Sequence, residues 1–173
     1  MTHFGFEFFA YKGLETGSRN VATHVVSNKD GVFFAFSSPY TKDDEADMHY
    51  HQQNHGDGVR DVAFRVEDSR ALFAKAVIRG AKPVFEPREL SDEHGTVVTS
   101  SVHTYGDTIH TFVERRNYKG WFLPGFAPHP KKPALNLFLP AVNIKLVDHV
   151  VGNQPDLEMK PAVDWYEKHL DFH

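Results

Sequence analysis

Histidine is the side chain that both titrates near neutral pH and ligates metals as a neutral ring. The chain carries 12 of them and no cysteine. One differs from the rest in its setting. His149 stands inside Leu146-Val-Asp-His-Val-Val-Gly-Asn-Gln-Pro155, an apolar run that reads as a strand followed by a turn. Alternation along such a strand sends His149, Val151 and Asn153 to one face and Asp148 and Val150 to the other. An imidazole, a small apolar wall and an amide therefore converge on one side, where the ring could act as a ligand. The same ring can also be a core histidine bonded to a backbone carbonyl. The pattern alone leaves both readings open.

Other constellations are weaker. His49, His51 and His55 lie close together in the polar, acidic segment Ser37–Gly58, where no apolar frame fixes their rings; a solvated connector is the expectation there rather than a metal site. Asp107 and His110 with Ser100 or Ser101 can be drawn as a hydrolase triad, but no glycine-flanked nucleophile elbow accompanies them. Gly13–Ser18 has glycines and hydroxyls without the phosphate-loop pattern, and is read as a turn. With no cysteine there is no disulfide, thiolate nucleophile or zinc-thiolate site. A net charge of -4 gives no electrostatic reason to expect nucleic acid or an anionic membrane surface. No apolar run approaches the length of a membrane span, and the N-terminus lacks a basic region followed by an apolar core, so a cytoplasmic location is expected.

The elements that must position His149 follow from periodicity and punctuation. With 15 Phe, 6 Tyr and 2 Trp the chain is rich in residues that suit packed strands. Strands are expected up to Lys12, over Asn20–Ser27, and over Val32–Phe36 after the Asn28-Lys-Asp-Gly31 turn, the last buried on both faces. Val59–Val66 reads as a strand. Asp68 or Ser69 caps a helix whose apolar face is Leu72, Phe73, Ala76 and Val77, with Gly80 as its C-terminal glycine. Strands near Pro83–Leu90, Thr96–Thr104 and Thr108–Glu114 follow, turning at Asp92-Glu-His-Gly95 and Tyr105-Gly-Asp107. Residues 115–143, with five prolines from 124 to 140, read as a stiff linker. The strand of His149 and a helix over Pro161–Leu170 restart the pattern.

The order strand, helix, strand, strand, strand is thus complete once, over residues 55–114. Residues 1–54 carry its last three strands, and residues 144–173 its first strand and helix. An α+β chain of paired βαβββ modules, the first and third incomplete and the whole a fragment cut at both ends, is the expectation.

That repeat resembles the vicinal oxygen chelate fold. Tyr11-Lys-Gly-Leu-Glu-Thr-Gly-Ser-Arg19, His55-Gly-Asp-Gly-Val59, Arg79-Gly-Ala-Lys82, Thr104-Tyr-Gly-Asp-Thr108, Phe122-Leu-Pro-Gly125 and Asp148-His-Val-Val-Gly-Asn-Gln-Pro155, in this order, are together similar to the 4-hydroxyphenylpyruvate dioxygenase family over essentially the whole chain. The resemblance implies an Fe(II) enzyme of tyrosine and phenylalanine catabolism, which converts 4-hydroxyphenylpyruvate and O2 to homogentisate and CO2. It implies His149 as one of three iron ligands, the other two lying outside this chain, so that the isolated piece is inactive. Val151 and Asn153 match positions bordering the substrate cavity. It further implies an N-terminal domain over 1–114, the linker over 115–143, the opening of a catalytic domain over 144–173, and a homo-oligomer, dimer or tetramer, at full length. The N-terminal half has Val62 where the third module has His149, so Glu114, at the place of a carboxylate ligand, is expected to be exposed or ion-paired. Two alternatives are a non-catalytic binding or dimerisation module and an enzyme like hydroxymandelate synthase.

Overall fold

Asp68 stands just after a strand and opens a helix. Its backbone is extended and its carboxylate accepts a hydrogen bond from the Ala71 amide at 2.8 Å, while Glu114 Oε2 accepts from the Ser69 amide at 3.0 Å. Two of the amides that a helix start leaves without partners are thereby satisfied. At the other end Ala81 N donates to Ala76 O and Gly80 N to Val77 O. Gly80 takes φ +104, so this is the paired-bond stop that a glycine makes cheap. The helix, α2, spans Ser69–Ile78.

In the computed structural model residues 2–28, 30–41, 48–130, 138–140 and 142–173 are described. The strands are β1 (Glu7–Lys12), β2 (Val21–Ser27), β3 (Phe33–Pro39), β4 (Phe64–Val66), β5 (Pro83–Asp92), β6 (Gly95–His103), β7 (Ile109–Glu114) and β8 (Ala127–Pro128). The other α-helices are α1 (Met48–His55) and α3 (Met159–Leu170). They fall into two units, one of Met1–Tyr50 with Gly120–Val151, the other of His51–Lys119 with Gly152–His173.

The second unit holds a sheet of order β4-β7-β6-β5, with β4 parallel to β7 and the remaining pairs antiparallel. This is the βαβββ unit expected from the sequence. Phe73, Ala76, Ala81, Val102 and Phe112 form its buried core, and Phe64, Val66, Leu72, Val77, Trp165 and Leu170 pack around it. Helix α3 therefore contributes apolar surface to this unit. Asp171, at its end, pairs with both Lys75 and Arg79 of the α2 region, and these two cations hold the Asp171 carboxyl below the usual carboxylate range.

The first unit holds the sheet β3-β2-β1-β8 over a core of Phe6, Val26 and Val32, with Phe8 and Ile144 against it. Its hairpin is tied by Asn28, whose Oδ1 accepts from the amides of Asp30 and Val32 at 3.1 and 2.9 Å.

Four expectations are corrected. Val32–Phe36 is not buried on both faces: Phe33, Phe34 and Phe36 are 40%, 44% and 60% exposed. Strand β3 is an edge of its sheet, whereas β7, its counterpart in the repeat, is flanked on both sides and buried. Within the supposed connector 37–58, α1 is a helix; residues 42–47 lie outside the described ones. Within 115–143, Ala127–Pro128 adds a short strand to β1 at an edge, a place where proline's missing N–H is tolerated; residues 131–137 and 141 of that stretch are not described. Finally, no ladder forms over 145–150. A strand is defined by a partner, and this one has none among the described residues. No helix of the described residues is long and apolar enough to cross a membrane.

Candidate metal-binding segment

The segment that carries His149 is held from its start. Ile144 packs on the first unit's core, its carbonyl accepts from Asn28 Nδ2 at 2.6 Å, and Lys145 pairs with Asp30 at 3.1 Å. Beyond that anchor the chain runs exposed. The His149 side chain is 71% exposed, Val151 likewise 71%, and Asn153 is exposed as well. A satisfied core histidine is thereby excluded for His149 in this structure.

His149 Nδ1 lies 2.6 Å from Asp148 Oδ2. A carboxylate can only accept, so Nδ1 carries the hydrogen and Nε2 is the ring nitrogen left open to solvent. That tautomer suits a metal ligand steadied by a carboxylate. The bond also joins neighbouring side chains, which strand geometry would send to opposite faces. The alternation expected of Asp148 and His149 is therefore not adopted here.

The remaining sequence candidates are accounted for by other partners. Asp107 Oδ2 meets His55 Nε2 at 2.8 Å. Ser100 Oγ bonds Ser69 Oγ at 2.8 Å, and Ser101 Oγ donates to the His110 carbonyl at 3.0 Å. His110 is buried, with Nδ1 2.8 Å from the Val62 carbonyl and Nε2 3.0 Å from the Tyr166 hydroxyl. No triad forms. Helix α1 sets His51 and His55 one turn apart with ring centroids at 4.7 Å, and burial together with the neighbouring His55 lowers the His51 pKa. Glu114 pairs with Arg116 at 3.1 Å in addition to capping α2. In the first unit His24 Nδ1 and His129 Nε2 stand 3.0 Å apart, a pairing across strands that no local motif announces. Among the described residues no group of three histidine, cysteine or acidic side chains converges as a metal site.

No family model matches the chain. It is 59% identical over 174 residues to the 4-hydroxyphenylpyruvate dioxygenase of Tetrahymena thermophila, an alignment covering 99% of this chain and 43% of that protein. This chain is a homologue of the 4-hydroxyphenylpyruvate dioxygenases. The dioxygenase of Danio rerio is 50% identical over 171 residues, covering 98% of the chain and 43% of the relative, and that of Caenorhabditis elegans is 48% identical over 171 residues, covering 99% and 43%. The chain thus spans less than half the length of the dioxygenases it matches. A 4-hydroxymandelate synthase variant from Streptomyces coelicolor matches in fold, with a TM-score of 0.76 at 24% identity over 96% of this chain and 46% of that one. The fold is that of the vicinal oxygen chelate proteins, α+β with paired modules.

A dioxygenase relative implies a metal, and the chain's residues meet that demand in part. His149 fits one ligand by donor type, tautomer and access. The described residues do not supply a full set.

Proposed function

We propose that this chain is the part of a 4-hydroxyphenylpyruvate dioxygenase that brings the first histidine, His149, to Fe(II). The reaction is 4-hydroxyphenylpyruvate and O2 to homogentisate and CO2, and the remaining ligands belong to the length of the relatives that this chain does not span. Iron, when bound, supplies the site at which the 2-oxo acid and O2 meet. On this reading residues 1–114 are the N-terminal domain, 115–143 the linker, and 144–173 the opening of the catalytic domain, with Val151 and Asn153 bordering the substrate. The share of the chemistry borne by this chain is modest. Asp148 holds the His149 hydrogen on Nδ1, and the ring's open nitrogen is left for the metal.

The observation that carries the proposal is the 59% identity running across the whole chain, with the His149 segment inside it. The test uses the protein at the length at which its source cells make it. His149→Ala is expected to abolish O2 uptake with 4-hydroxyphenylpyruvate and to lower bound iron; retained uptake would overturn the assignment. Product analysis separates this activity from that of a hydroxymandelate synthase, since homogentisate carries its new hydroxyl on the ring.

A further inference from the structure

Gly152 separates the two residues assigned to the substrate border, and its φ is not in the left-handed region. Backbone conformation therefore does not require glycine there. Space does. A Cβ built at 152 falls on the Tyr105 hydroxyl oxygen, far nearer than real Cβ atoms approach any atom, whereas the ring carbon Cζ stands at 3.4 Å, an ordinary contact. The hydroxyl alone makes the position glycine-only.

A tyrosine tip normally yields to such a clash, but this one is held. The turn that presents Tyr105 is closed by Thr104, whose amide and Oγ1 both donate to the Thr108 carbonyl at 3.1 and 2.8 Å. The ring stands edge-on to Tyr166, centroids 5.8 Å apart at 68°. Tyr166 is itself fixed on the second unit. His110 Nδ1 must be the donor to the Val62 carbonyl, so its Nε2 accepts from the Tyr166 hydroxyl. Trp165 and Phe172 close on the same ring at 5.1 and 5.2 Å. A chain of contacts thus runs from buried His110 through Tyr166 and Tyr105 to the Gly152 backbone.

We propose that Tyr105 is a positioning residue whose hydroxyl wedges against Gly152 and sets the backbone from which Asn153 reaches the substrate. The functional half of this inference rests on the substrate-border reading above. Nothing in the local sequence announces the wedge, because Tyr105 lies in a turn of one module and Gly152 in the opening of the next.

Two readouts separate the wedge from the reading it serves. The first is amide hydrogen exchange of residues 152–154 in this chain. Gly152→Ala adds a methyl to an occupied space and is expected to raise exchange there by roughly five- to a hundredfold. Tyr105→Phe, which deletes the hydroxyl and keeps the ring, is expected to bring the double variant back within about threefold of the Tyr105→Phe single variant. Equal effects of Gly152→Ala with and without Tyr105→Phe, or none in either, overturn the proposal. The second is the substrate KM of the protein at its natural length. Gly152→Ala is expected to raise KM roughly tenfold with bound iron unchanged, and Tyr105→Phe to restore it. Exchange raised by Gly152→Ala and reversed by Tyr105→Phe, with an unmoved KM, leaves the wedge standing and overturns the substrate-border reading.

Discussion

Buried His110 makes the stability of the second unit depend on pH with a known sign. Burial holds its pKa below the ordinary imidazole value, against the smaller opposing pulls of the Val62 carbonyl and Asp61. The unfolded chain therefore takes up a proton, near pH ~6.5, that the folded ring refuses. Its contribution to stability is complete above that value and is lost as pH falls below it, at up to about 1.4 kcal/mol per pH unit for one proton. His110→Phe removes the titration and leaves the Val62 carbonyl and the Tyr166 hydroxyl without their partner, a cost of about 1–3 kcal/mol at pH 8. Between pH 8 and pH 5.5 the wild-type chain should lose about 1 kcal/mol that the variant does not lose, so the gap between them narrows. Asp61 titrates with the opposite sign, because burial raises its carboxyl and the folded state binds that proton first. It is present in both proteins, and only the part of its titration that does not depend on the neighbouring His110 ring cancels in the difference. Urea unfolding followed by tryptophan fluorescence is the assay, since the Trp165 ring lies 6.1 Å from His110. Unfolding free energies that run parallel from pH 8 to 5.5 would refute the reasoning.

The other expectations are simpler. Phe112 is 1% exposed at the centre of the second unit, so Phe112→Ala should cost about 3–5 kcal/mol in a urea melt. His149→Ala should leave the stability of this chain within about 0.5 kcal/mol, as an exposed ring with one neighbouring partner implies; a large loss would return His149 to the core. Tyr118 is pushed up to about 12 by burial and by its hydrogen bond to Asp92. Phenolate absorbance should therefore have one tyrosine titrating later in the wild type than in an Asp92→Asn variant.

The complete module was legible because it is punctuated. Asp68, Gly80 and the turn at Gly95 each mark a boundary by a bond or a backbone angle that few other residues supply. Helix α1 was not legible: Met48-His-Tyr-His-Gln-Gln-Asn-His55 has no apolar face, and periodicity detects only helices that have one. The aromatic run in β3 reads as doubly buried because composition cannot distinguish an edge from a centre, a property of the neighbours rather than of the strand. The same limit explains residues 145–150, whose apolar residues describe what the segment could pair with and not what is there to pair. His149 was visible as an exception within its own run, yet its tautomer, its exposure and the wedge at Gly152 needed coordinates. Contacts between modules leave no local signature.

Strand β3 also bears on how the protein behaves in bulk. Phe33-Phe-Ala-Phe-Ser-Ser-Pro39 contains no charge, and among the described residues its outer side pairs with no strand and is flanked by exposed phenyl rings. Natural edges usually carry a lysine or a bulge to repel strangers, and here only Pro39 at the tip serves. Concentrated solutions of this chain should accordingly cloud by strand-to-strand addition. A lysine in place of Phe36, the most exposed of the three, should keep them clear.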